Sequence, residues 1–178
     1  SGAMPHSSVT AKPVRLLHLS DIHFGAEDGE ALAAVEQFAS HVKPDAIIIA
    51  GDITQTGKRS EFEAARKWFD SLGTPVIAAP GNHDTPVYNV PARVVAPFDR
   101  YERYMEGMDI VGQVRNFGDG LVRVSAINSA RGFQGRMIWA DGVIDIGDLE
   151  VALEKLSRGK LPIEGRVEDL LSRLSLAE

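Results

Sequence analysis

The chain has 178 residues, of which 44% are hydrophobic and 25% charged, and a net charge of −6. That composition excludes global disorder and supports one sizeable core rather than two. The acidic balance argues against a broad electrostatic grip on nucleic acid.

Ser1-Gly2-Ala3-Met4 reads as a cloning scar, and residues 1–12 as a tag and flexible tail ahead of a single domain over 13–178. Val14 to Ser20 reads as a strand, with His18 as a hydrogen-bonded core histidine inside it. Gly29 to His41 has helical spacing through Leu32, Val35, Glu36, Phe38 and Ala39, with His41 near the helix C-terminus. Ala46 to Ala50 is an unbroken apolar run, the pattern of a strand buried on both faces. Ser60 to Ser71 predicts a second helix capped by Ser60 with Glu63 at its third position, and Phe62, Ala65, Trp68 and Phe69 as its apolar face. Gly73-Thr74-Pro75 ends it, and Val76 to Ala79 forms a third strand. This alternation implies parallel pairing through crossovers. Val90 to Met105 is partly helical. Gln113 to Phe117 and Leu121 to Ile127 form a hairpin around Gly118-Asp119-Gly120. Asp145 caps a helix running to Ser157, and a last helix covers Val167 to Leu176.

No run reaches the roughly 20 apolar residues that span a bilayer, and the N-terminus lacks a signal-peptide pattern. The chain has no cysteine, which excludes disulfides, thiolate metal sites and thiol nucleophiles; a cytoplasmic setting is expected.

Three strand ends carry related cargo: Ser20-Asp21-Ile22-His23, Gly51-Asp52, and Gly81-Asn82-His83-Asp84. Neighbouring parallel strands deliver their C-terminal residues to one crevice. Asp21, His23, Asp52, Asn82 and His83 should therefore converge. Carboxylate, imidazole and amide oxygen together suit Mn, Fe or Zn. Any one of them alone would be ordinary, since an Asp after a strand is commonly a turn former. Asp84 either orients His83 or caps a turn. Arg131, in Asn128-Ser129-Ala130-Arg131-Gly132, is a substrate candidate beside a structural reading, and Trp68 and Trp139 read as packing residues.

These motifs and their flanks, Leu17-His18-Leu19-Ser20-Asp21-Ile22-His23-Phe24-Gly25, Gly51-Asp52-Ile53-Thr54-Gln55 and Tyr88-Asn89, resemble the calcineurin-like metallophosphoesterase superfamily in its bacterial cyclic-nucleotide-phosphodiesterase branch. The resemblance spans residues 14 to 157. It implies an αββα sandwich of two mixed sheets flanked by helices, and two divalent ions. Asp21 and His23 would bind the first ion, Asp52 would bridge, Asn82 would bind the second, and His83 would contact phosphate or protonate the leaving oxygen. Two ions about 3.5–4 Å apart clamp phosphoryl oxygens and hold a hydroxide between them. The expected function is a phosphodiesterase acting on a small nucleotide substrate. The alternatives are a non-catalytic binding module, a phosphomonoesterase or a nuclease. Thr54, Gln55 and Thr56 stand where protein phosphatases of the superfamily carry Asp and Arg.

The resemblance also implies later histidine ligands, yet no histidine follows His83. The C-terminal part thus reads as incomplete. The second metal site, left with Asp52 and Asn82, is expected to be weak or empty in this chain.

Overall fold

A computed structural model describes residues 12–85, 98–130 and 146–157. Leu16–Ser20 forms β1, Ala46–Ala50 β2 and Val76–Ala79 β3. They pair in parallel in the order β1-β2-β3. Ile47 and Ile49 of the central strand are fully buried on one face, whereas Ile48 and Ala50 on the other are half-buried, so the run is not covered equally on both faces as expected. The register sets Ser20 opposite Ala50 and Ala50 opposite Ala79, so all three chains leave the sheet at one level.

Helix α1, Gly29–Val42, starts at Asp28, whose side chain accepts the Glu30 and Ala31 amides. Its Leu32, Val35 and Ala39 meet the core, and His41 occupies its last turn. Phe38, expected on the same face, is 53% exposed. It lies about 100° around the helix from Ala39, outside the stripe the sheet covers. His18 is likewise exposed rather than buried. Leu17 and Leu19 on either side pack toward the core, so strand alternation turns His18 the other way.

Helix α2, Arg59–Ser71, begins one residue before the expected start. Its cap is Lys58 rather than Ser60, and the acidic residue at the third position is Glu61 rather than Glu63. The reason is local bonding: the Glu61 carboxylate accepts the Lys58 amide at 3.2 Å, whereas Glu63 pairs with Arg59 at 2.7 Å and accepts from the Tyr104 hydroxyl. The expected apolar face is buried. Phe24 lies 5.9 Å from the Trp68 ring and 6.1 Å from Phe69, and the Trp68 indole donates to Glu36 of α1. Each fully buried phenylalanine here contributes about 1.5–3 kcal/mol.

A 3₁₀ turn over Asn82–Asp84 follows β3. Helix α3, Asp99–Tyr104, realises the later part of the expected helical stretch, and its Tyr104 ring stacks on Phe62 at 5.8 Å. β4, Arg115–Phe117, and β5, Val122–Val124, form the antiparallel hairpin. Gly118, Asp119 and Gly120, all with positive φ, make its turn. The strands are shorter than expected. Beyond them an isolated parallel bridge joins Val111 to Ala126, and the Ser125 hydroxyl donates to the Gln113 carbonyl there. Helix α4, Ile146–Ser157, buries Leu149 and Ala152. Tyr88, Asn89, Arg131, Trp139, the Asp145 cap and the expected last helix lie outside the described residues.

The chain is thus a mixed α/β fold with a parallel sheet, an antiparallel hairpin and flanking helices, consistent with the metallophosphoesterase fold. Among the described residues, no helix is long and apolar enough to cross a membrane.

Candidate metal centre

The three strand ends stay joined after the sheet stops. His23 donates its amide to the Asp52 carbonyl at 3.1 Å, and Phe24 to Ile53 at 2.8 Å. The His83 amide donates to Asp52 Oδ1 at 2.9 Å, which ties the third motif to the second. Asp52 is buried, and its other oxygen, Oδ2, stands 3.8 Å from His23 Nε2 and 4.0 Å from His83 Nε2. The two imidazoles meet edge to face, 5.1 Å between centroids. His23, Asp52 and His83 each offer one ligand atom, and these atoms all lie within 4.8 Å of one another.

Asp21 stands beside this group without joining it. A Cβ on Gly51 would lie 2.7 Å from Asp21 Oδ1, so the carboxylate rests on the Gly51 backbone next to Asp52. Gly51 also has φ +81, which a side chain rarely adopts. A Cβ on Gly81 would collide with Asp52 Oδ1. Asp21 and His23 themselves are left-handed, with φ 52 and 54. Such residues cost about 1–3 kcal/mol each and cluster at ligand-holding sites. Asn82 opens the 3₁₀ turn beside His83, half-buried, its carbonyl taken by the Thr85 hydroxyl at 2.7 Å.

Asp84 does neither of the two things expected of it alone. Its buried carboxylate accepts the amides of Ile53, Thr54 and Gly81 and the Thr54 hydroxyl, at 2.8–3.2 Å. It closes its own turn and clamps the second motif to the third. Burial pushes its carboxyl up to about 6, against the four hydrogen bonds, which favour the anion. The group that orients His83 is instead the Gln55 carbonyl, 2.7 Å from Nδ1. A carbonyl can only accept, so Nδ1 carries the proton and Nε2 faces Asp52. Sequence reading missed this contact because a backbone carbonyl has no residue signature. It also missed Glu61, whose position three residues after Lys58 was the available signal.

The donor set fits a divalent ion. His23 Nδ1 is buried with no hydrogen-bond partner, and its Nε2 is too far from Asp52 for a hydrogen bond. The His23 imidazole and the buried Asp52 carboxylate suit a borderline metal, with the His83 ring at the edge of the group.

A parallel sheet that gathers Asp-x-His, Gly-Asp and Gly-Asn-His-Asp around such a group defines a phosphoester-hydrolase class of site. Residues 14–165 match the calcineurin-like phosphoesterase family, and the chain belongs to it. It is similar to the glycerophosphodiester phosphodiesterase GpdQ of Enterobacter lignolyticus, 30% identical over 80 residues, covering 39% of this chain and 29% of that protein. A probable cyclic nucleotide phosphodiesterase of a Synechococcus species is 31% identical over 85 residues, 43% of this chain and 33% of that protein. The double-strand break repair protein Mre11 of Aeropyrum pernix is 33% identical over 88 residues, 40% of this chain and 21% of that protein. The matched stretch spans about a third or less of each of these relatives' own lengths.

Proposed function

We propose that the chain carries the metal-holding core of a phosphodiesterase-type hydrolase acting on a small nucleotide phosphodiester. The observation that carries this reading is Asp52 Oδ2, faced by His23 and His83 from two other strand ends. Asp21, His23 and Asp52 would hold one ion, Asp52 and Asn82 a second, drawn from Mn, Fe or Zn. When bound, such ions neutralise phosphoryl oxygens and make water acidic enough to supply a nucleophile near pH 7. Asp52 orients the third motif by accepting the His83 amide. His83 holds its Nδ1 proton on Gln55 and exchanges a proton at Nε2, the atom that faces Asp52 and would serve the leaving oxygen. A cytoplasmic setting belongs to the same reading.

Charge distribution supports a small substrate over a polyanion. Arg15, Arg66, Arg100, Arg115, Arg123 and Lys155 all donate to backbone carbonyls, so these cations fasten the fold. A nucleic-acid groove would need cations free to meet phosphates.

The test is hydrolysis of bis-p-nitrophenyl phosphate with added Mn, alongside calorimetric Mn titration. Hydrolysis that chelation abolishes, with one ion bound tightly, is the expected result. Two tightly bound ions would show that the donors are misassigned. Tight binding without hydrolysis would favour the second reading, a metal-binding module.

A further inference from the structure

The Gln55 carbonyl that holds the His83 ring belongs to a loop, and something must hold the loop. Residues 51–58 run from β2 to α2. Gln55 donates its amide to Phe24, and Gly57 donates to Thr54 Oγ1, while the Gly57 carbonyl accepts from Arg100 at 2.8 Å. The amides of Ile53 and Thr54 go to Asp84, and the bonds of Thr56 and the Lys58 amide converge on one other side chain. Glu61 accepts the Thr56 amide at 2.9 Å, the Thr56 hydroxyl at 2.6 Å and the Lys58 amide at 3.2 Å. It is 8% exposed. It also abuts the first motif's loop, since a Cβ on Gly25 would lie 2.8 Å from Glu61 Oε1.

An ordinary capping glutamate accepts the cap amide and does no more. Glu61 in addition takes both donors of Thr56, the residue directly after the carbonyl that His83 uses, and touches the loop two residues beyond His23. We infer that Glu61 is a positioning residue: its buried carboxylate sets the Gln55 carbonyl and thereby fixes the His83 tautomer with Nε2 turned to the site. This rests on the reading of His83 as the proton-transferring group, but the tautomer can be measured without turnover.

The experiment compares Glu61→Ala, Glu61→Gln and Thr56→Val in the full chain. Gln keeps the shape, can accept both amides through one oxygen and can donate to the Thr56 hydroxyl, which can rotate to accept. It should therefore rescue. Long-range imidazole 1H–15N spectra of metal-free protein, at a pH where the ring is neutral, report the His83 tautomer. Wild type and Glu61→Gln should show a single Nδ1–H form. Glu61→Ala should show an exchanging mixture, and Thr56→Val, which drops one bond and keeps the branched shape, a smaller change in the same direction. In turnover, Glu61→Ala should lower kcat about 10-fold or more with KM little changed, a fraction of what a lost proton-transfer group costs. Circular dichroism identifies any variant that fails to fold, in which case Thr56→Val decides. An unchanged His83 tautomer in folded Glu61→Ala or Thr56→Val protein would overturn the inference. Wild-type protein that holds the tautomer but never hydrolyses a phosphodiester would overturn the functional reading and leave the positioning role standing.

Discussion

Residues 12–85 together with 98–110, and the described residues from 111 onward, are held by different forces. The first region is built on parallel strands, two amphipathic helices and the short α3 packed on them, and supplies the whole of the main buried cluster. The second region is fastened largely by polar side chains on backbone carbonyls. Arg115 bonds Gly107, Arg123 bonds Leu156 and Lys155, and Lys155 bonds Gly112. The candidate metal centre lies wholly in the first region. Hydrophobic burial sums over many contacts and fixes backbone level, so loops leaving such a sheet stay where the register puts them. Solvent-facing bonds are worth about 1 kcal/mol each and leave a region free to open on its own.

The contrast is testable first at the site. In active protein, Asp52→Asn should abolish turnover, whereas His83→Ala should lower it about 10²–10⁴-fold, the usual worth of a proton-transfer group. Asp52 faces the two imidazoles with its free oxygen, and Asn keeps an oxygen for the His83 amide but loses the charge that would hold an ion. Equal and mild losses, read from phosphodiester hydrolysis with Mn, would count against a shared-carboxylate site.

Next in size is the core beneath it. Phe62 is fully buried under the α3 ring of Tyr104 and belongs to the main cluster. Phe62→Ala should cost about 3–5 kcal/mol in denaturant unfolding. A cost near 1 kcal/mol would mean that burial is not what holds the first region. Asp84→Asn should come close behind. An amide cannot accept at both of its ends, so amides among Ile53, Thr54 and Gly81 would lose their acceptor, at about 1–3 kcal/mol for each. Stability unchanged by that substitution would break the view of Asp84 as the clamp between the second and third motifs.

Much of this was legible beforehand, for physical reasons. Ala46–Ala50 read as a strand from its short unbroken apolar run, although only the face that carries Ile47 and Ile49 is fully buried, and the helix-period apolar residues of 60–71 face that side. The strand ends followed from the parallel order, which is why Asp52, His23 and His83 could be expected together. What escaped was set by contacts distant in sequence or invisible in it. His18 looked like a core residue because its neighbours are leucines, yet strand alternation turned it outward. Ser60 is a better cap than Lys58 by propensity, but Glu61 and Thr56 settled the start of α2 between them. Asp84 offered two readings, and its four donors come from two separate stretches of chain, 53–54 and 81.

The smallest expected effect probes the second region. Arg123 spreads its guanidinium over the last carbonyls of α4, at 2.5 Å to Leu156 and 3.0 Å to Lys155, and its Nε donates to Asn116 on β4. A cation at a helix C-terminus gains from the dipole as well as from these bonds. Arg123→Ala should cost about 1–2 kcal/mol, part of it recovered by neither Lys nor Gln, because only the planar fork reaches both carbonyls at once. Hydrogen exchange is the measurement that decides what kind of loss this is. The amides of α4 and of the β4–β5 hairpin should exchange faster, while those of β2 keep their protection, since no atom of the parallel sheet bonds Arg123 in this arrangement. Turnover by an active protein should be unchanged. If the β2 amides quickened in step with those of α4, the two regions would open as one cooperative unit, and the division between a core held by burial and a flank held by polar fastenings would be wrong.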